Sequence, residues 1–368
     1  MNGKLLIAAG HAGSTAYATI EEFKIQNPNW GIVFVGSSSA MEGRKSSTIE
    51  NAYMPKIGIK FIPIVSGRLQ RKFTLWTLPS LLKIPIGFAH ALFILLSERP
   101  NAILSFGGFS AFPIVVIGWL LRIPVIIHDQ TTSAGRSNLA SVPFAKKIAL
   151  SRDDSLRYFP KNKSEVVGNP ISKEVITCKN KKYAKRTSAI FIAGGSRGSI
   201  SLNRLAITIL PELLHDFVVY HQTGDVDFPD IKKFLLTLDR KSRNRYHPFP
   251  KVEMWNWYKY LRDSDILVSR SGANIVSEAL QIGIPSIFIP LPFAYNDEQR
   301  KNAKYAEDLG LSRVLDEKDL DPKRLYVEIL GLSRKWDKIV KSYQKPKIDD
   351  SKAAEKLCKI ISEYALVF

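Results

Sequence analysis

Short apolar runs recur along the first half of the chain at spacings too long for hairpins. Leu5–Ala9, Gly31–Val35, Ile59–Pro63, Ala102–Phe106, Pro124–His128 and Lys147–Leu150 predict strands. The stretches Tyr17–Ile25, Trp76–Ser97 and Phe112–Leu121 between them carry helical periodicity. Strand–helix alternation of this kind predicts a doubly wound parallel sheet. The turn Val166-Val167-Gly168-Asn169-Pro170 ends that unit, and a basic run, Lys179–Arg186, reads as a solvated excursion before the pattern restarts. Strands are expected again at Ala189–Ala193, Phe217–Gln222, Ile266–Val268, Ser286–Pro290 and Arg313–Leu315. A last helix, Ala353–Leu366, follows the second unit and is expected to return to the first. The pattern predicts an α/β protein of two Rossmann-like domains facing one cleft, 1–166 and 167–351, with 352–368 rejoining the first. A ligand is expected at the C-terminal ends of the strands.

Two glycine-centred turns carry the candidate chemistry. Ile190-Phe191-Ile192-Ala193 breaks into Gly194-Gly195-Ser196-Arg197-Gly198-Ser199 and then opens a helix through Leu202, Leu205 and Ala206. Ile266-Leu267-Val268-Ser269 breaks into Arg270-Ser271-Gly272-Ala273 and opens a second helix, closed by Gly283. Glycine lets backbone N–H groups approach an anion, and each following helix aims its positive dipole end at the same place. Two such turns suit a ligand bearing a diphosphate. Glu278, one to two turns into the second helix, is placed to take the paired hydroxyls of a ribose. The competing reading is that both are ordinary tight strand-to-helix turns.

Composition narrows the classes. With 368 residues, 45% apolar and 24% charged, the chain has the size and make-up of a two-domain globular protein. Its 53 basic against 34 acidic residues give +19, which calls for an anionic surface or ligand. Zinc-finger spacing, an aromatic RNA-binding strand and a basic helix are all missing from the sequence, so a phosphorylated substrate or an anionic membrane is preferred over nucleic acid. Cys178 and Cys358 form no metal or redox spacing, which fits a reducing compartment. The chain enters its first strand at once, leaving no expected signal peptide. Pro100 to Leu121 is uncharged, but Gly107-Gly108 and Pro113 make it strand, loop and buried helix rather than a span.

Read in order, the motifs resemble the MurG family of GT-B glycosyltransferases, which convert lipid I to lipid II in peptidoglycan synthesis. The carriers are Gly107-Gly108-Phe109-Ser110, Ile123 to Gln130, Ala134-Gly135-Arg136-Ser137-Asn138 and Val166 to Pro170. Gly194 to Gly198, His221-Gln222-Thr223-Gly224, Ser269 to Ala273 and Asn296 to Ala303 follow. The resemblance implies that the second domain holds UDP-N-acetylglucosamine without metal or cofactor. Ser196 and Arg197 would meet the diphosphate, Ala273, Asn274 and Ile275 the nucleotide, Met254 the uracil, and Gln299 and Asn302 the hexose. The first domain would hold the lipid-linked acceptor through Ala9, Gly10, Gly13, Thr131 and Asn138. His11, with Asp129, would deprotonate it; histidine is a base near neutral pH without much tuning.

The chain departs from the family pattern in places. The first loop reads Ala8-Ala9-Gly10-His11-Ala12-Gly13, with alanine at two family glycines. Asp129 replaces a glutamate, Thr131 an asparagine, and Ser172 an arginine that contacts the donor, leaving Lys173 or Arg197 as stand-ins.

Residues 68–83 mix Arg68, Arg71, Lys72 and Lys83 with Phe73, Leu75, Trp76 and Leu78, the composition of a collar on an anionic membrane. Leu75, Leu78, Leu82 and Phe88 also fit a core-facing stripe. The expected location is peripheral, on the cytoplasmic face of the cell membrane. Three other readings share parts of the pattern: a GT-B enzyme glycosylating another membrane lipid, a UDP-sugar epimerase, and a non-catalytic basic membrane- or nucleic-acid-binding protein.

Overall fold

The computed structural model of the chain describes residues 3–10, 12–39, 48–67, 77–178, 188–195 and 198–365. They fall into two compact α/β units, Met1–Ser172 with Ile348–Phe368, and Lys173–Lys347.

The first unit is a seven-stranded parallel sheet: β1 (Lys4–Ala9), β2 (Gly31–Gly36), β3 (Lys60–Pro63), β4 (Ala102–Gly107), β5 (Val125–Asp129), β6 (Lys147–Leu150) and β7 (Ser164–Val166). Their order is β3-β2-β1-β4-β5-β6-β7. Every residue of β4 and β5 is buried, which is why these strands read as unbroken apolar runs instead of alternating. Helices α1 (Gly13–Gln26), α2 (Ile49–Tyr53), α3 (Thr77–Glu98), α4 (Ala111–Leu120) and α5 (Arg136–Ser141) connect them. Leu6, Val33, Ile103, Ile114, Ile127 and Ile148 centre one core. The C-terminal helix, Ala353–Ala365, packs on α1. Its approach is locked by Asp350, whose carboxylate takes two 2.7 Å bonds from Arg152 and one of 2.8 Å from the Asn169 N–H.

The second unit opens with α6 (Lys173–Ile176) and alternates β8 (Ala189–Ala193), α7 (Ile200–Asp216), β9 (Val218–Gln222), α8 (Phe228–Thr237), α9 (Arg240–Arg243) and β10 (Tyr246–Phe249). It continues with α10 (Trp257–Asp263), β11 (Ile266–Ser269), α11 (Ala273–Ile282), β12 (Ser286–Phe288), α12 (Glu298–Asp308), β13 (Ser312–Val314), α13 (Pro322–Arg334) and α14 (Trp336–Ser342). The order β10-β9-β8-β11-β12-β13 is again parallel throughout.

Two strands escaped the sequence reading, and both are edges. β7 is Ser-Glu-Val with no buried residue, and β10 carries Pro248, which cannot donate to a ladder. The uncharged stretch from Pro100 resolves into β4, a glycine turn and α4. Among the described residues no helix is long and apolar enough to cross a membrane. The predicted helix ends Trp76 and Leu366, the basic run Lys179–Arg186 and residues 68–76 of the collar lie outside the described residues.

Candidate functional site

In the second unit β8 and β11 are neighbours, yet the chain leaves β8 towards β9 and leaves β11 towards β12. Strand order reverses between them, and the crevice beyond such a point is where open α/β sheets hold ligands. Both glycine turns open there. Ala193 pairs with Ser269, and the Arg270 N–H donates to Ala193 O at 3.3 Å. Ala273, Asn274 and Ile275 form the first turn of α11, behind Gly272. A Cβ added to Gly272 meets no described atom within 4 Å, so the start of this helix is open on that side. Ser199 caps α7 by accepting the Leu202 N–H at 3.4 Å. Ser196 and Arg197 lie outside the described residues.

Arg270 holds the two turns together. Its guanidinium donates to the hydroxyls of Ser199 and Ser201, each at 2.7 Å, to Ile289 O at 3.0 Å, and to both Glu317 oxygens at 2.9 and 3.2 Å. It is only 5% exposed, and its donors are spent on protein atoms. Below the first turn, His221 at the end of β9 bridges the Tyr246 hydroxyl at 2.8 Å and Asn203 Oδ1 of α7 at 3.0 Å. Burial holds this imidazole neutral, down to about 3.

Glu278 points into α11's buried side and is 4% exposed. Its Oε2 accepts the indole N–H of Trp257 at 2.7 Å. Burial pushes its carboxyl up to about 8, against the pull of that one bond. Met254 sits three residues before Trp257, in a half-buried single turn that leads into α10. Gln299 and Asn302 lie on α12, stitched to the second glycine turn. The Ser271 hydroxyl donates to Gln299 O at 2.8 Å and Asn302 Nδ2 donates to Ser271 O at 3.3 Å. Gln299 Oε1 accepts the Leu291 N–H at 3.0 Å, which leaves its NH₂ end as the group to offer a ligand. Asn296 and Asp297, directly before α12, both hold left-handed φ angles of 51° and 55°. Two consecutive non-glycine residues in that region store strain of the kind found in ligand-binding loops.

In the first unit the corresponding reversal lies between β1 and β4. Gly10 N–H donates to Gly107 O at 2.9 Å, and the Ser110 hydroxyl to Ala9 O at 3.0 Å. A Cβ on Gly108 would come within 2.8 Å of Gly10 Cα, so glycine is required where these backbones cross. His11 lies outside the described residues. Gly13 is the first residue of α1, and its N–H and that of Ala12 both donate to Glu50 Oε1, at 3.1 and 2.8 Å. The helix start therefore already holds a carboxylate.

Asp129, Thr131 and Asn138 meet in one network at the end of β5. The Asp129 carboxylate accepts from Asn138 Nδ2 at 2.9 Å and from the N–H groups of Gly135 and Thr131, each at 3.2 Å. Burial raises its pKa while these donors pull it back. His128, one residue earlier, is fully enclosed with Nε2 on Gly168 O at 3.0 Å, and burial lowers it to about 4. It is a neutral core histidine.

Glu50, Trp257 and Arg270 are the residues the sequence reading did not place. Arg270 had a local signal, a cation at the end of an apolar strand. Glu50 and Trp257 had none, because each finds its partner across 37 and 21 positions of chain.

Comparison with known proteins fits this geometry. The glycosyltransferase family 28 N-terminal domain matches residues 44–150 and the C-terminal domain of the same family residues 189–359. A UDP-N-acetylglucosamine–N-acetylmuramyl-(pentapeptide) pyrophosphoryl-undecaprenol N-acetylglucosamine transferase of Legionella pneumophila (strain Paris) is 30% identical over 98% of this chain and 95% of its own. The crystal structure of Acinetobacter baumannii MurG superposes with a TM-score of 0.69 at 21% identity, covering 98% of this chain and 99% of that one. A UDP-GlcNAc 2-epimerase from Neisseria meningitidis, bound to UDP-GlcNAc, shares the fold at 13% identity and TM-score 0.60, over 99% of each chain. Two parallel-sheet domains, matched in order by both family 28 domains and along nearly all the chain by transferases of this kind, mean that the chain belongs to the MurG family of GT-B glycosyltransferases.

Proposed function

We propose that this chain transfers N-acetylglucosamine from UDP-N-acetylglucosamine to the C4 hydroxyl of lipid I, undecaprenyl-diphosphate-linked muramyl-pentapeptide, giving lipid II for peptidoglycan. The observation that carries the reading is the opening of both glycine turns at the strand-order reversal of the second unit, with Glu278 on the helix that the second turn begins. There the diphosphate meets backbone N–H groups and the N-terminus of α11, and Ser196 and Arg197 are assigned to it from the sequence. Glu278 takes a ribose hydroxyl, Met254 borders the uracil, and the Gln299 amide and Asn302 read the hexose.

The acceptor hydroxyl loses its proton to a base and attacks the anomeric carbon. The bond from that carbon to the diphosphate oxygen breaks, the configuration inverts, and UDP leaves with the charge. Fixed N–H dipoles stabilise that charge without reorganising. We assign proton removal to His11, since both Asp129 oxygens already serve its own loop. Ala9, Gly10, Gly13, Thr131 and Asn138 border the acceptor.

Peripheral attachment to the cytoplasmic face of the membrane completes the reading, because the acceptor is lipid-borne. Ile86, Phe93 and Leu96 form an exposed stripe along α3, and Trp119, Leu120 and Leu121 are exposed at the end of α4, which packs beside it. Arg122 follows directly, and the basic residues 68–83 precede. Such a surface suits shallow insertion among anionic headgroups. The test is incubation of the full chain with UDP-N-acetylglucosamine and a lipid I analogue, following UDP release and the mass of the lipid product. UDP release with an unchanged acceptor mass, or epimerised sugar, would overturn the reading.

A further inference from the structure

Glu278 is a buried carboxyl in an unusual position: among the described residues, its hydrogen-bond donor is a neutral indole and no cation pairs with it. The donor itself is fixed. The Trp257 ring stands edge-on to Phe191 of β8 at 4.9 Å, and Phe191 stacks on Tyr260 of α10 at 5.4 Å, itself stacked on Phe249 of β10 at 4.3 Å. Two strands, β8 and β10, and α10 itself thus set where the indole N–H points, and that N–H sets where the carboxyl points. Trp257 opens α10 immediately after the turn holding Met254, and its N–H bonds Glu278, so it joins the uracil candidate's turn to the ribose candidate.

From this arrangement we propose that Trp257 is a positioning residue for the donor nucleotide: its N–H occupies one oxygen of Glu278 and turns the other towards a ribose hydroxyl. The inference rests on the reading of Glu278 as the ribose ligand. It deepens that reading by making the grip single-handed, through one carboxyl oxygen, with the other spent on the protein. The prediction runs through coupling. A tryptophan that merely fills space loses packing independently of Glu278; one that aims the carboxyl loses its effect once the carboxyl is gone.

The experiment is a double-mutant cycle on UDP affinity in the full chain, by calorimetry, with W257F, E278A and the pair. W257F removes the donor and keeps a ring of similar shape; its UDP Kd should rise about tenfold, the scale of one hydrogen bond to a charged or polarised group. Turnover at saturating donor should change less than about twofold, because the bond acts on binding and not on the reacting carbon. E278A should weaken UDP at least as much, and the double variant should be no weaker than E278A. W257H, which restores a ring N–H, should recover part of the loss, and thermal unfolding of each variant reports its fold. Additive losses, or a W257F with wild-type UDP affinity beside a weakened E278A, would overturn the positioning role alone. An E278A with wild-type UDP affinity would overturn the ribose assignment and the inference with it.

Discussion

Each unit carries a buried carboxyl, Asp129 at the end of β5 and Glu278 on α11, and the two are finished differently. Asp129 of the first unit is surrounded by its own loop, with Asn138, Gly135 and Thr131 donating to it. Glu278 of the second unit has Trp257. The helix starts differ in the same direction. The first turn of α1 is occupied by the Glu50 carboxylate, whereas α11 begins behind Gly272 with open space beside it and no acidic residue in its first turn. A folded chain satisfies nearly all buried polar groups. Where capacity is left unspent, a ligand can supply what the protein does not, and the start of α11 is such a place in the second unit. The first unit arrives with its anion seat filled from within, so an acceptor diphosphate there must either compete with Glu50 or use other groups.

The largest effect expected tests the division of labour between the units. His11→Ala should cut turnover by about 10²–10⁴-fold, the range for removing a general base, while UDP affinity stays within twofold. A loss of UDP binding of similar size would place His11 in the donor site and erase the contrast.

The next test contrasts the two carboxyls directly. Asp129→Asn replaces an all-acceptor group by one with a single acceptor, stranding a buried donor of its loop; it should cost about 1–3 kcal/mol in urea unfolding near pH 7. Glu278→Gln should behave oppositely above pH 8. With its carboxyl raised from 4.5 to about 8, the folded state binds a proton that the unfolded state releases, so stability falls as pH rises through that window. The amide removes this loss, and the variant should be more stable than the parent at pH 9 by on the order of 1–3 kcal/mol in the ligand-free protein. Parallel stability–pH curves for parent and variant would show that the folded chain does not hold a proton on Glu278.

The smallest effect concerns Glu50. Glu50→Gln keeps the shape but removes the charge at the start of α1, and should cost about 1 kcal/mol of stability with donor affinity unchanged. If acceptor KM falls in this variant, the carboxylate and the acceptor diphosphate compete for the same N–H groups; if it rises, Glu50 holds the loop in its working shape.

Much of the fold was legible because the central strands are buried on both faces and announce themselves as apolar runs. β6 and β8 were bounded to the residue, Lys147–Leu150 and Ala189–Ala193. The glycine turns were legible for a related reason: a backbone that must bend sharply at a strand's end admits few residue types, so its signal is local. Edge strands gave no such signal. β7 and β10 are held by pairing with one neighbour and need little apolar content to form.

The amino-acid sequence by itself determined the alternation, the two sheets, the positions of both glycine turns and the family. It determined those because each depends on neighbours within a few residues, or on a motif order that survives unaligned loops. Only the tertiary structure decided that Asp129 belongs to its own loop, that His128 is a core residue, that Glu50 fills the start of α1, and that Trp257 holds Glu278. Each of these is a hydrogen bond or an enclosure fixed by which elements pack side by side. Burial then sets the charge state of the group, and neither the partner nor the dielectric around it is written in the spacing of residues along the chain.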